Sequence, residues 1–264
     1  MLHTTLRKTN DKNKVRKQHI ENNVVMNHLK KFIILGPINT GTNLIEKIIR
    51  SSRQVVKSLN KHQIDKNKII IMLNSTIMEE ETICFIMYKP IYNWIASVQK
   101  ESYFIERTKL RFPKQNSQMQ SFSSCILDYN ISCYGKEYDN IIEVYNSYYQ
   151  AYLDLMKEQK YHKKIVFLDY YQCIDGHNGF EYFQNKYREK ISMFPISLSQ
   201  DKYMTILNKP SKIHGQSVNN FSEALYKKEK NRNYYYDKIQ NDTSLKNFIN
   251  ENLYQKIEDL CKIK

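Results

Sequence analysis

The segment 31–50 constrains the fold more than any other stretch of this chain. Phe32-Ile33-Ile34-Leu35 is a short apolar run that ends in Gly36-Pro37, the pattern of a buried strand meeting a loop. From Asn43 to Arg50, Leu44, Ile45, Ile48 and Ile49 recur at helical spacing. Between strand and helix lies Gly36-Pro37-Ile38-Asn39-Thr40-Gly41-Thr42-Asn43. A loop in that context gathers successive backbone N–H groups and the positive end of a helix around one point, which suits an anion. Gly41 lets the main chain approach closely, and Thr40, Thr42 and Asn43 offer side-chain donors. Gly36 and Gly41 have the glycine spacing of the Walker pattern, but Thr42 replaces its lysine and Asn43 its Ser/Thr. A magnesium-dependent kinase or NTPase is therefore disfavoured. The alternative reading of this segment alone is a strand–turn–helix corner whose Thr and Asn merely cap.

The rest of the chain repeats the alternation. Ile69–Leu73 and Ile83–Met87 read as further strands, and Ile91–Gln99 as a helix with Pro90 just before its first turn. Residues 106–137 mix Ser, Gln and Asn and read as a loop or small helices over one face. Tyr138 to Lys157 carries Ile142, Tyr145, Tyr149, Tyr152 and Met156 three or four apart, an amphipathic helix. Ile165–Leu168 is a fourth strand. A short helix around Phe180–Tyr187, irregular sequence around Pro195 and Pro210, and a closing helix from Ser244 to Cys261 capped by Thr243 complete the order. Strands alternating with helices predict βαβ units and a mostly parallel central sheet, an α/β fold. Residues 1–30, with Arg7, Lys8, Lys12, Lys14, Arg16 and Lys17, read as a basic flexible N-terminal arm; 31–264 reads as one α/β domain.

Bulk properties limit the function classes. A chain of 264 residues can bury a real core. No apolar run reaches the length of a bilayer span, and the first thirty residues lack the apolar stretch of a signal peptide, so a cytoplasmic protein is expected. The five cysteines are an odd set without a CxxC pair; they read as free thiols and offer zinc no ligand pattern. The net charge of +14 asks for an anionic partner, or else reflects a composition rich in Lys, Asn, Ile and Tyr with only 6 Gly and 5 Pro. Charge does not choose between nucleotide, sulfated polymer and nucleic acid. No helix-turn-helix, zinc-finger or RNP-type motif is present, which ranks nucleic acid below the others.

Pro37-Ile38-Asn39-Thr40-Gly41-Thr42-Asn43-Leu44 resembles the donor-binding loop of sulfotransferases, PxxSGT followed by Thr, Ser or Asn. Met87 to Ser97 resembles that family's second element, a strand ending in Arg or Lys, then Pro, then a helix bearing a Ser; Lys89 and Ser97 have its spacing. Tyr145-Asn146 is similar to the Trp-Asn of a family helix. Val166-Phe167-Leu168-Asp169-Tyr170-Tyr171 resembles the strand and turn written RYEDL, with Asp169 at the acidic position. The final helix with its Tyr234–Tyr236 lead-in also looks like the family's ending, so the resemblance spans about residues 31–264. It implies a three-layer α/β/α, P-loop NTPase-like sulfotransferase architecture. The implied activity moves a sulfuryl group from 3′-phosphoadenosine 5′-phosphosulfate to a hydroxyl or amine of a carbohydrate, protein or small molecule, without a metal. Pro37, Asn39, Thr40, Gly41, Thr42 and Asn43 would then embrace the 5′-phosphosulfate, and Lys89 and Ser97 the 3′-phosphate, since an ammonium and a hydroxyl suit a dianion. The acceptor would be chosen by the loops over 100–137 and 190–230.

The resemblance also implies where charge should stand in the site. Sulfuryl transfer needs a cation on the bridging oxygen and a base for the acceptor's proton. Where the family loop commonly has Lys or Arg, this chain has Asn39, which donates a hydrogen bond but carries no charge. A missing donor in such a site typically costs about 2.7–4 kcal/mol. Lys61, Lys47 and Lys89 are the cations expected to compensate. His62 lies where several family members carry the base, and the Lys61-His62 pair resembles some of them. Histidine titrates near neutrality, and Lys61 beside it would disfavour its protonation. The catalytic set is thus His62, Lys61 and Asn39. Asn39 also motivates an alternative, a weak or inactive sulfotransferase-fold protein that binds a nucleotide or polyanion. His214, with Lys209 and Lys212, reads as a surface loop near the nucleotide; Lys227 to Arg232 reads as a solvated face; Trp94 and Tyr234–Tyr236 read as packing.

Overall fold

The computed structural model describes residues 31–52, 55–56, 61–77, 82–99, 131–133, 136–162, 164–189, 198–209, 211–213, 216–219 and 221–263. In chain order they form β1 (Lys31–Leu35), α1 (Thr42–Ser51), β2 (Val55–Val56), α2 (Lys66–Ile77), β3 (Thr82–Tyr88) and α3 (Ile91–Gln99). Then come β4 (Ile131–Cys133), β5 (Lys136–Tyr138), α4 (Ile141–Met156), α5 (Gln159–His162), β6 (Ile165–Asp169), α6 (Tyr170–Cys173) and α7 (Gly176–Arg188). The last elements are α8 (Gln200–Asn208), β7 (Ser211–Ile213), β8 (Gln216–Asn219), α9 (Phe221–Tyr226), α10 (Lys228–Gln240), α11 (Thr243–Lys246) and α12 (Glu251–Cys261). The basic arm expected over 1–30, residues 106–130 of the loop region expected over 106–137, and Pro195, Pro210 and His214 lie outside the described residues.

The four-stranded sheet that organises the protein is parallel, as the alternation of elements predicts, and its strands run in the order β2-β1-β3-β6. β1 pairs with β3 from Lys31↔Thr82 to Leu35↔Ile86, and β3 with β6 from Cys84↔Ile165 to Tyr88↔Asp169. Strand side chains alternate between faces, and here both faces are covered, so the strands read as unbroken apolar runs. Phe32, Ile34, Phe85, Met87, Val166 and Leu168 pack with residues of α1, α6, α7 and α8. Ile33, Leu35, Cys84, Ile86, Tyr88 and Phe167 pack with α2, α3, α4 and α12. Burial pushes the Cys84 thiol up to about 12.

Several local expectations are overturned. Ile69–Leu73 is the middle of helix α2, not a strand. Asp65 caps that helix, its Oδ1 accepting from the N–H of Asn67 at 2.8 Å and of Lys68 at 3.2 Å. Ile69 and Leu73, one turn apart, are buried while Ile71 is 66% exposed, a helical pattern that a run of five apolar residues conceals. Residues 131–133 and 136–138 form an antiparallel pair, so Tyr138 ends a strand, and Asn140 rather than Tyr138 opens the long helix by accepting from Ile142 and Glu143. The expected closing helix is two helices. Asp242 caps α11 and Asn250 caps α12, leaving Thr243 as the first helical residue instead of the cap. Tyr234–Tyr236 sit inside α10 rather than leading into the last helix. Ser199 caps a further helix, α8, that the sequence reading treats as irregular. Among the described residues, no helix is long and apolar enough to cross a membrane.

Candidate functional site

The chain leaves β1 toward β2 on one side and then crosses back to β3 on the other. Where crossovers diverge in this way, a crevice opens outside the carboxyl ends of the two strands. The loop 36–41 follows β1 there, and Lys89 follows β3.

The loop is tightly wound. A Cβ on Gly36 would stand 2.7 Å from the Thr40 hydroxyl oxygen and 3.1 Å from the Met87 carbonyl oxygen, so only glycine fits where the loop leaves the sheet. Thr40 is fully buried and donates both N–H (3.3 Å) and hydroxyl (2.6 Å) to the Pro37 carbonyl. That hydroxyl proton serves the loop itself, whereas the sequence reading offers it to a ligand. Asn39 at φ +63° and Gly41 at φ +90° flank Thr40, so the backbone alternates in hand along the loop. The Gly41 carbonyl accepts from Leu44 and Ile45 and starts α1, whose first-turn amides at Thr42 and Asn43 have no acceptor one turn back.

Lys89 is only 6% exposed, which excludes a solvated strand end. Its ammonium donates to Ser97 Oγ at 2.7 Å and to the Asn39 carbonyl at 3.3 Å, and lies 4.3 Å from the centre of the Tyr170 ring. Ser97 passes its own proton to the Asn93 carbonyl at 3.0 Å. Helix α3 and the loop are joined twice more: Asn39 Nδ2 donates to the Ser97 carbonyl at 3.3 Å, and Trp94 Nε1 to the Ile38 carbonyl at 2.6 Å. Trp94 therefore packs its helix, as expected, and also grips the loop.

Lys61 and His62 border the loop's other side. The Lys61 carbonyl accepts from Gly36 N–H at 3.0 Å, and its ammonium bonds Asn43 Oδ1 at 3.0 Å and the Glu46 carboxylate. Burial alone would raise the Glu46 carboxyl, but Lys61 and Arg50 beside it bring it below the usual carboxylate range. The Lys61 charge is thus paired with the Glu46 carboxylate on α1. His62 Nδ1 lies 2.8 Å from the Gly36 carbonyl oxygen, so Nδ1 carries the proton and Nε2 is the lone-pair nitrogen of the neutral ring. Lys47 is exposed on α1. Of the cations expected to offset Asn39, Lys89 is the one bonded to the Asn39 main chain.

Sequence reasoning missed the aromatic half of this site. A Cβ on Gly41 would fall 2.5 Å from the Tyr170 ring, so Gly41 is required by that ring as well as by its backbone. Tyr145 donates to the Lys89 carbonyl at 2.8 Å, and Tyr148 to the His62 carbonyl at 2.9 Å. Tyr148 is absent from the helical pattern read from the sequence; its position three residues after Tyr145 is the signal that could have found it. Asp169, at the end of β6, caps α6, and its burial lifts its carboxyl above the usual range although the N–H groups of Gln172 and Tyr171 and the charge of Lys228 oppose this. Lys228 corrects another expectation. Instead of belonging to a solvated face it lies half-buried, 4.9 Å from the centre of the Tyr171 ring, with its carbonyl accepting from Asn93 Nδ2 at 2.7 Å. No family model, curated protein or solved structure matches the chain.

Proposed function

We propose that this is a sulfotransferase-like protein of three-layer, P-loop NTPase-like architecture. It takes 3′-phosphoadenosine 5′-phosphosulfate at the loop 36–43 and transfers the sulfuryl group to a hydroxyl or amine. The observation that carries the reading is the Lys89 ammonium, bonded at once to Ser97 Oγ and to the loop's Asn39 carbonyl where β1 and β3 end side by side. A buried ammonium and a partly buried hydroxyl beside a glycine-containing loop that starts a helix suit a nucleotide bearing two anionic ends.

In the reaction, the acceptor oxygen or nitrogen attacks sulfur in line, and the bond from sulfur to the bridging oxygen breaks. The electron pair leaves with 3′,5′-ADP, and the acceptor's proton passes to His62 Nε2. Loop amides stabilise the sulfonate oxygens, while Lys89 and Ser97 hold the 3′-phosphate. Asn39 leaves the bridging oxygen without an ammonium of its own.

A second reading, binding of donor or product without transfer, is favoured by the Asn39 amide being turned to the Ser97 carbonyl. Both readings require the nucleotide. Thermal unfolding of the full chain with 3′,5′-ADP, compared with ATP plus magnesium, tests them. Ligand at about a hundred times its Kd adds about 2.7 kcal/mol of stability, several degrees in Tm. Stabilisation by 3′,5′-ADP alone is expected; no shift, or a larger one with ATP and magnesium, overturns both.

A further inference from the structure

Helix α4 turns Tyr145, Tyr148, Tyr149 and Tyr152 to one side, each fully buried. Residues three and four apart share a helix face, so four hydroxyls point the same way. Each meets a main-chain carbonyl on a segment that bears the site. Tyr149 donates to Met87 at 3.0 Å and Tyr145 to Lys89 at 2.8 Å, which fixes the end of β3. Tyr148 donates to His62 at 2.9 Å and Tyr152 to Gln63 at 3.4 Å, which fixes the segment after Lys61. One helix thus sets the separation between the cation side of the site and the base side.

Two bonds made by His62 itself bear on where its ring sits. Tyr148 holds its carbonyl, and the Gly36 carbonyl holds its ring through Nδ1 at 2.8 Å. Loss of the first bond moves the ring off the second. We infer that Tyr148 is a positioning residue for His62: it holds the backbone where the ring reaches Gly36, keeps the proton on Nδ1, and so leaves Nε2 as the basic nitrogen. The role of His62 as base rests on the function proposed above, whereas the tautomer is a property of the chain alone.

Two-bond proton–nitrogen spectra of the full-length, ¹⁵N-labelled protein read that tautomer directly. Neutral His62 should carry its proton on Nδ1 in the wild type. Tyr148→Phe keeps the ring and removes only the hydroxyl; it should shift His62 toward the Nε2-protonated form while 3′,5′-ADP affinity is unchanged. Tyr152→Phe, losing the longer bond from the same face, should leave the tautomer as in the wild type. A wild-type ring protonated on Nε2, a Tyr148→Phe spectrum identical to wild type, or equal shifts in both Phe variants would each overturn the inference. Failure of 3′,5′-ADP to bind the wild type removes the proposed function instead, and the tautomer still decides the positioning role.

Discussion

Lys89 and Ser97 meet through a 2.7 Å hydrogen bond in the buried corner between β3 and α3. The serine relays to the Asn93 carbonyl and the lysine reaches the loop, so strand, helix and loop share one polar connection. A buried ammonium persists only where fixed acceptors replace its water. The same acceptors keep it aimed beneath the loop.

Removing the ammonium while keeping its bulk separates fold from binding. Lys89→Met fills the volume beside the Tyr170 ring, so the variant should still unfold cooperatively. It should lose the rise in Tm that 3′,5′-ADP gives the wild type. Ser97→Ala is expected to be milder, costing about 1.5–3 kcal/mol as one hydrogen bond to a charged group is lost, measured by urea denaturation. A Lys89→Met protein that binds 3′,5′-ADP as the wild type does would show that the ammonium serves the fold alone.

Gly41 and Gly176 offer a controlled pair. Both have positive φ, +90° and +54°, but a Cβ on Gly41 meets the Tyr170 ring at 2.5 Å and one on Gly176 meets nothing within 4 Å. Gly176→Ala should cost about 1–2 kcal/mol, the backbone strain alone. Gly41→Ala should cost clearly more, because the ring that must move also lies beside the Lys89 ammonium. Urea midpoints of the two variants check the difference.

How far the sequence discloses this molecule follows from which interactions are local. The loop 36–43 and the Lys89–Ser97 spacing are readable because each lies within one strand–turn–helix unit. Ile69–Leu73 misleads because five apolar residues fit a buried strand and a buried helix equally, and only the Asp65 side chain decides. Lys61 and His62 are visible as residues, but the pairing of Lys61 with Glu46 joins a helix to a loop 15 positions away. The tyrosine face of α4 reaches carbonyls 56 to 89 residues distant. Bonds of that range to main-chain oxygens leave no mark on the identity of their acceptors.

Two carboxylates, Asp169 and Glu46, should impose opposite pH slopes. Asp169 is raised above its ordinary 3.8, so the native state holds a proton that the unfolded chain has released. Its contribution therefore falls as pH rises from about 3.8 through the folded value. Asp169→Asn keeps a capping oxygen and removes the charge; its stability relative to wild type should improve across that window and then level off. Glu46 is lowered from 4.5, so its contribution is complete above that pH and is lost as pH falls through the folded value. Glu46→Gln should thus be costly near neutrality and less so in acid. Urea titrations of both variants at several pH values would display the two trends, and parallel slopes would refute them.

Lys186 anchors the last helix. It is 3% exposed, and its ammonium donates to the carbonyls of Leu260 at 2.9 Å and Lys262 at 3.0 Å and to Glu189 at 3.1 Å. Carbonyls at a helix C-terminus lack internal donors, and the positive charge complements the helix dipole. Lys186→Met should cost about 1.5–3 kcal/mol or more, since the Leu260 and Lys262 carbonyls lose their charged donor. Because Lys186 holds the carbonyls at the end of α12, faster amide exchange should appear first in α12. Uniform acceleration throughout the sheet would point instead to a global effect.

Asn39 tests what the loop lacks. At φ +63° it occupies a conformation that asparagine tolerates and lysine resists, and its amide braces Ser97. Asn39→Gly keeps the backbone and loses the brace, so a change under about 1 kcal/mol is expected. Asn39→Lys adds the missing charge at a strain cost of about 1–2 kcal/mol. Should transfer fail only for want of that cation, release of 3′,5′-ADP from the sulfated donor, with a phenol as acceptor, should accelerate by about a hundredfold or more, matching the loss typical of one oxyanion donor. Donor affinity should hardly change, because the amides and Lys89 are untouched. Equal, measurable rates in wild type and Asn39→Lys would mean that another cation already supplies the charge, and that Asn39 is not what limits transfer.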